Sequence, residues 1–215
     1  MDNSIDLKGD YLFGRSPTGP TAVFAVDEDI FSSWQHIPDA VAGGGKQTPF
    51  ELAHGGTPAF EYFGKNRRVS LLFDRAMAQQ SLLVIKKLVE HPKVFDGVRV
   101  LVDVGGGTGE MLALIRDQYK HIRCINMDLP HSDEESILIL KCLPDNGKVI
   151  VTQSILPKTP ESTPAARDSY MMDIIIYVNF KGGKDRTEQV YAKLGFSGFQ
   201  KTYIFCNIYA LEFTK

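Results

Sequence analysis

The 215-residue sequence has no surplus of charge of either sign: 24 lysines and arginines stand against 26 acidic residues, a formal net charge of -2. That balance supplies no electrostatic footprint for nucleic acid or for an anionic membrane surface. The densest basic stretch, Lys65-Asn66-Arg67-Arg68, reads as the solvated start of a helix. Long apolar runs are missing too; those present, such as Met171 to Val178, are broken by charge well short of a membrane span. The first residues carry Asp2 and Asp6 with no basic region ahead of an apolar stretch, which excludes a secretory signal there. Cysteine is scarce: Cys124, Cys142 and Cys206 cannot all pair, and each sits in an apolar run. Buried free thiols in the reducing cytoplasm are therefore expected, and no metal.

What is present is ordinary for a globular chain. Hydrophobic residues make up 43% and charged residues 23%, which argues against disorder, collagen and coiled coil. The length suits one sizeable core with an appendage. Residues 1–29 read as a loosely held arm with one strand, Thr21 to Val26. A helix is expected from Glu28 to Gly43, weakened by Pro38. A longer one is expected from Asn66 as N-cap to His91, and a division is expected near Phe95-Asp96-Gly97.

Beyond it strands alternate with helices. Val98 to Val104 reads as a strand buried on both faces of a parallel sheet. A helix over Glu110 to Tyr119 and a strand over Ile122 to Met127 follow. Ser132 and Glu135 form a capping box for a helix ending at Leu143. Lys148 to Ile155 is a third strand, and Thr163-Pro164 opens a further helix. Asp185 is read as the N-cap of a short helix to Leu194. An antiparallel pair, Thr202 to Cys206 with Asn207 to Phe213, ends the chain. The class is α/β with a largely parallel sheet.

Asp103-Val104-Gly105-Gly106-Gly107-Thr108-Gly109 lies between the first strand and its helix. Glycines there let the backbone turn tightly and approach a ligand, and the helix behind directs its amides into the same crevice. Nineteen residues after Gly109 stands Asp128, where a carboxylate can take both hydroxyls of a ribose. Dinucleotide enzymes prefer G-x-G-x-x-G, and the sixth place here is Glu110. The acidic-x-G-x-G-x-G order suits S-adenosyl-L-methionine, whose amino-acid cation wants a carboxylate such as Asp103. A glycine turn without ligand is the plain alternative.

Further segments carry a resemblance: Ala59-Phe60-Glu61-Tyr62, Leu101 to Gly109, Asn126-Met127-Asp128-Leu129-Pro130-His131, Pro144-Asp145-Asn146-Gly147-Lys148-Val149 and Gly182-Gly183-Lys184-Asp185-Arg186-Thr187. In this order they resemble the plant small-molecule O-methyltransferases of the caffeic acid, flavonoid and alkaloid type, from Trp34 onward. The resemblance implies a Rossmann-like methyltransferase domain over residues 61–215 and a remnant of a helical dimerisation domain over residues 1–60. It implies a cofactor held by Asp103, Gly105, Gly107, Gly109 and Asp128. It also implies a phenolic acceptor lined by Phe73, Met77, Ile175 and Ile176, and a homodimer or a heterodimer with a full-length homologue. Equally, those four side chains are core residues at helical spacing.

The departures from the family pattern matter as much. His131 abuts Ser132 directly, where the family carries a strand, a helix and another strand, so about 30 residues or more are missing. With them go the second acidic motif, a lysine and the family's base histidine; His131 belongs by context to the preceding strand. Gln153 and Asp185 stand at the positions of the two carboxylates that flank that base. The lost strand would lie between the strand ending at Val104 and the one beginning at Lys148, so these two either pair directly or leave two rows of amides without partners. The resulting expectation is an O-methyltransferase impaired in this chain. A non-catalytic binding or dimerisation partner is the second reading, and a nicotinamide-dependent oxidoreductase the third.

Overall fold

A computed structural model describes residues 19–106, 109–127, 143–193 and 196–215. The chain divides into two compact units, one running to Leu83 and taking in Tyr170–Asp185, the other made of Val84–Ser169 and Arg186–Lys215.

The first unit is helical. Short helices α1 (Gly19–Ala25), α2 (Glu28–Phe31), α3 (Ile37–Ala42), α4 (Pro49–Ala53) and α5 (Ala59–Lys65) lead into the long α6 (Arg67–Leu88). Thr21 to Val26, expected as a strand, is helical over α1: Phe24 buries one side among aromatic rings, a tertiary gain that overrides β-propensity. Pro38 does break the following helix, a 3₁₀ stretch at Ser32–His36 giving way to α3 with proline in its first turn. Thr48 and Glu51 cap α4 reciprocally, each side chain meeting the other's backbone N–H. Asn66 Oδ1 accepts from Val69 N at 3.4 Å at the head of α6. Arg68 reaches across to Asp27 and Asp29, which raises its pKa, and so ties α6 to the cap of α2. The core is aromatic: Phe24, Phe50 and Phe63 are buried, with Tyr62, Phe73 and Phe180 packed against them.

The second unit carries the strands. β1 (Val100–Val104) pairs in parallel with β2 (Arg123–Met127), and α7 (Glu110–Gln118) connects them. A second sheet holds β3 (Lys148–Leu156), β4 (Arg186–Thr187), β5 (Gly198–Phe205) and β6 (Ile208–Thr214) in the order β4-β3-β6-β5. β3 runs parallel to β4 and antiparallel to β6, and β5 is antiparallel to β6. α8 (Pro164–Asn179) and the single turn α9 (Glu188–Tyr191) complete the described elements. α9 begins after Thr187 rather than at Asp185, because Arg186–Thr187 is drawn into pairing with Ile155–Leu156. The capping box at Ser132 and Glu135 lies outside the described residues.

Among the described residues no strand stands between β1 and β3, and the two do not pair with each other. β1 is not covered on both faces as expected: Val100 is 51% and Val102 46% exposed. What joins the two sheets is side-chain packing, with Leu101 and Cys124 in one apolar cluster with Ile150, Ile204 and Ala210. Lys148 ties its own sheet to the segment before β1, its Nζ donating to Glu212 Oε2 on β6 and to Val94 O, both at 2.6 Å. Of the cysteines, Cys206 is exposed rather than buried, because it sits in the two-residue turn between β5 and β6 with φ 50°. Burial pushes the Cys124 thiol up, opposed by Arg116.

Two expected outcomes follow from this unit. Among the described residues β6 is flanked on both sides and β1 on one, so hydrogen exchange followed by mass spectrometry should find β6 amides exchanging about tenfold or more slowly than those of β1. Tyr119 donates to Val89 O at 2.9 Å and its ring packs 4.7 Å from Phe95. Burial, reinforced by Asp96, raises its phenol pKa, so the fold favours the neutral form. That contribution is whole below about pH 10 and is lost as pH rises through the raised folded value. The fall in melting temperature between pH 8 and 11 should be smaller in Tyr119→Phe than in the native chain.

Candidate functional site

β1 delivers the chain into the glycine turn. Gly105 N donates to Met127 O at 2.8 Å, extending the β1–β2 ladder by one bond. Gly105 then takes φ 75° and Gly109, the N-cap of α7, φ 77°. A side chain at either would cost about 1–2 kcal/mol in that left-handed region. Leu112 and Ile115 bury the far side of α7, which holds the helix start at the turn.

The tightest point is Gly106. A Cβ placed there would fall 2.5 Å from Asp103 Oδ2 and closer still to Asn126 Oδ1. At Gly109 the nearest atoms are again those of Asn126, 3.5 to 3.8 Å away. Asp103 and Asn126 are register partners across β1 and β2, so pairing itself sets a carboxylate and an amide side by side under the turn. The result is a backbone cradle with one anionic and one neutral polar wall. Its chemistry fits a ligand that presents a cation and hydroxyl donors near exposed amides.

Asp103, Gly105 and Gly109 are thus gathered where the sequence suggested. Gly107 and Asp128 lie outside the described residues, as does His131; β2 ends at Met127, one residue before Asp128. Asn126 was the residue sequence reasoning passed over, although its place two residues before Asp128 on β2 puts it opposite Asp103.

The remaining candidates divide between the units. Gln153 lies on β3 opposite Tyr209, in the second unit. Asp185 is buried in the first, where its N–H donates to Asp173 Oδ1 at 2.7 Å. Phe73 is enclosed by rings, with centroids 5.1 Å from Phe63, 5.5 Å from Phe24 and 6.0 Å from Phe60. Met77 is 36% exposed, and Ile175 and Ile176 are half-buried on α8. Among the described residues no cluster of His, Cys, Asp and Glu has the make-up of a metal site, and no helix is long and apolar enough to cross a membrane.

A parallel strand, glycine turn and helix with an acidic residue at the strand end define a Rossmann-like nucleoside-binding fold. The chain belongs to the O-methyltransferase domain family, whose model matches residues 34–137 and 132–200. The two stretches overlap over residues 132–137, directly after His131. It is 44% identical over 251 aligned positions, 95% of this chain and 71% of the relative, to a caffeate O-methyltransferase-like protein 2 of Oryza sativa subsp. japonica. That alignment is longer than the chain, so the relative carries residues with no counterpart here. A probable inactive methyltransferase of the same plant is 44% identical over 241 positions, covering 91% of this chain and 64% of the relative. Human N-acetylserotonin methyltransferase, solved in complex with SAM, matches in fold with a TM-score of 0.72 at 17% identity, over 98% of this chain and 74% of that one. The chain spans 64 to 71% of the length of these two curated relatives.

A Cβ at Gly106 would have to push the Asp103 carboxylate and the Asn126 amide aside. Gly106→Ala should therefore lower the melting temperature, at a cost of about 1–3 kcal/mol for the displaced Asp103 and Asn126. Circular dichroism melting reads this directly, with Gly64→Ala, likewise without a positive φ and with nothing within 4 Å, as the control.

Proposed function

We propose that the chain is an S-adenosyl-L-methionine-dependent O-methyltransferase of phenolic small molecules, working at a reduced rate. The observation that carries the reading is the Gly106 cradle against Asp103 and Asn126. In it Asp103 would take the amino-acid cation, Gly105, Gly107 and Gly109 would bring backbone amides close, and Asp128 would take the ribose hydroxyls. The bound group supplies a methyl on a cationic sulfur. What this chain must add is an aimed oxygen and a place for its proton.

Phe73, Met77, Ile175 and Ile176 are proposed as the acceptor wall, since aromatic faces and a thioether suit a flat ring. Holding two reactants in geometry is worth about 7–11 kcal/mol by itself. An ordinary phenol titrates near pH 10, and a positioned base is worth about 10²–10⁴ in rate. The segment that carries the family's base has no counterpart beside Ser132, and Gln153 is neutral, so it does not stabilise an imidazolium. Asp185, one methylene shorter than the family's glutamate, reaches less far. Residues 1–60 are read as part of a dimerisation domain and the setting as the cytoplasm.

A second reading, a non-catalytic partner of a full-length homologue, is favoured by the division into two sheets and by the kinship with a protein named as probably inactive. Calorimetric titration of the native chain separates the readings. S-adenosyl-L-methionine and its demethylated product should bind, Asp128→Ala and Asp103→Ala should each weaken them about tenfold or more, and labelled methyl transfer to a catechol should run at least 10²-fold below a complete family enzyme. Binding of NADH in their place overturns the first reading; no nucleoside binding together with a stable complex with a full-length homologue favours the second.

A further inference from the structure

Among the described residues β1 and β3 each leave one ladder edge without a strand. On β1, Gly105 N donates to Met127 O and Arg99 O accepts from Arg123 N, so the odd-numbered residues turn their backbone groups toward β2. Val100, Val102 and Val104 therefore turn theirs to the opposite edge. On β3, β6 takes one edge and β4 takes only Ile155–Leu156 of the other, which leaves Lys148–Ser154 open there. Both edges belong to the second unit, and Leu101 and Ile150 share its apolar cluster. By alternation Val100, Val102 and Val151 fall on the other face, where all three are exposed and Ile125 is exposed beside them.

An open edge is a template for a further strand. Its backbone accepts any extended segment, and the side chains choose among them. Residues 98–104 read Val-Arg-Val-Leu-Val-Asp-Val, with Arg99 and Asp103 placed symmetrically about Leu101. Arg99 is exposed and has no ion pair among the described residues. An antiparallel neighbour hydrogen-bonded at Val100 and Val102 meets Arg99, Leu101 and Asp103 at non-hydrogen-bonded positions, where facing Cα atoms approach to about 4.5 Å. We propose that the open edge of β1 takes up one extended segment of a partner polypeptide, antiparallel to β1, aliphatic against Val100, Leu101 and Val102, with an acidic residue opposite Arg99 and a basic residue opposite Asp103. The segment's backbone bonds alternately to β1 and to the open edge of β3. Because β3 packs close to β1 through Ile150 and Leu101, a single strand is the occupant and not the paired sheet of a second copy. The surface shares only Asp103 with the glycine cradle and needs no methyl donor, so it stands or falls apart from the methyltransferase reading.

The sequence of residues 98–104 itself has the required pattern when run antiparallel to β1, and it supplies the probe. A capped, fluorescent peptide of that sequence, flanked by lysine pairs for solubility, is titrated by anisotropy into the full chain without cofactor. It should saturate, and hydrogen exchange followed by NMR should find the amides of Val100, Val102 and Val104 protected about tenfold or more by the peptide, with those of β6 unchanged. A peptide with lysine in place of its aspartate should bind about tenfold or more weakly, and Arg99→Glu should reverse that order of preference. No saturation at millimolar concentration, saturation without added protection on β1, or the same preference in folded Arg99→Glu overturns the proposal. Self-association of the native chain that Arg99→Glu abolishes, with no peptide bound, overturns it in favour of a second copy. Circular dichroism establishes the folding of the variant, and the two peptides compared on the native chain decide the matter if it does not fold.

Discussion

Register between two short parallel strands decides where the polar groups of the cradle fall. β1 and β2 share five paired positions, and the fourth sets Asp103 against Asn126. A slip of one residue would turn every side chain of β2 to the other face, remove Asn126 from beneath Gly106 and Gly109, and place an apolar neighbour there. The glycines alone do not make a binding surface. They make room, and the pairing decides what borders that room.

That pairing has little reserve. β1 has one described neighbour, whereas β6 has two and runs the length of its sheet. The apolar cluster around Leu101, Ile150 and Ala210 holds the two sheets in one unit, while Lys148 ties β3 to Glu212 of its own sheet and to Val94 in the segment before β1. Packing of this kind is non-directional, unlike a ladder of hydrogen bonds, and it leaves Val100 and Val102 facing water. The site end of the unit is therefore its less anchored end, and the antiparallel hairpin its firmer one.

Much of this was legible from residue order. Glycines at 105 and 109, the strand before them and the helix behind follow from spacing, because left-handed turns admit few other residues. The antiparallel ending follows from two β-rich runs around Cys206-Asn207. Thr21 to Val26 was misread because its strand propensity is local while the Phe24 contacts that make it helical are not. Asp185 resembled a helix cap until β3 claimed the residues after it. Asn126 stayed hidden because a register partner is invisible until strands are paired, and the uncovered face of Val100 because a missing neighbour leaves no mark on the residues that remain.

The backbone passes from one unit to the other three times, at 83/84, 169/170 and 185/186. Sixteen residues, Tyr170–Asp185, are lent by the later half of the chain to the earlier unit, and Phe180 travels with them into its aromatic core. A transcript stopping before codon 170 would thus damage a unit whose remaining sequence it had encoded in full. Neither half is a self-sufficient module for recombination, and a ribosome must emit most of the polypeptide before the earliest helices acquire their last ring.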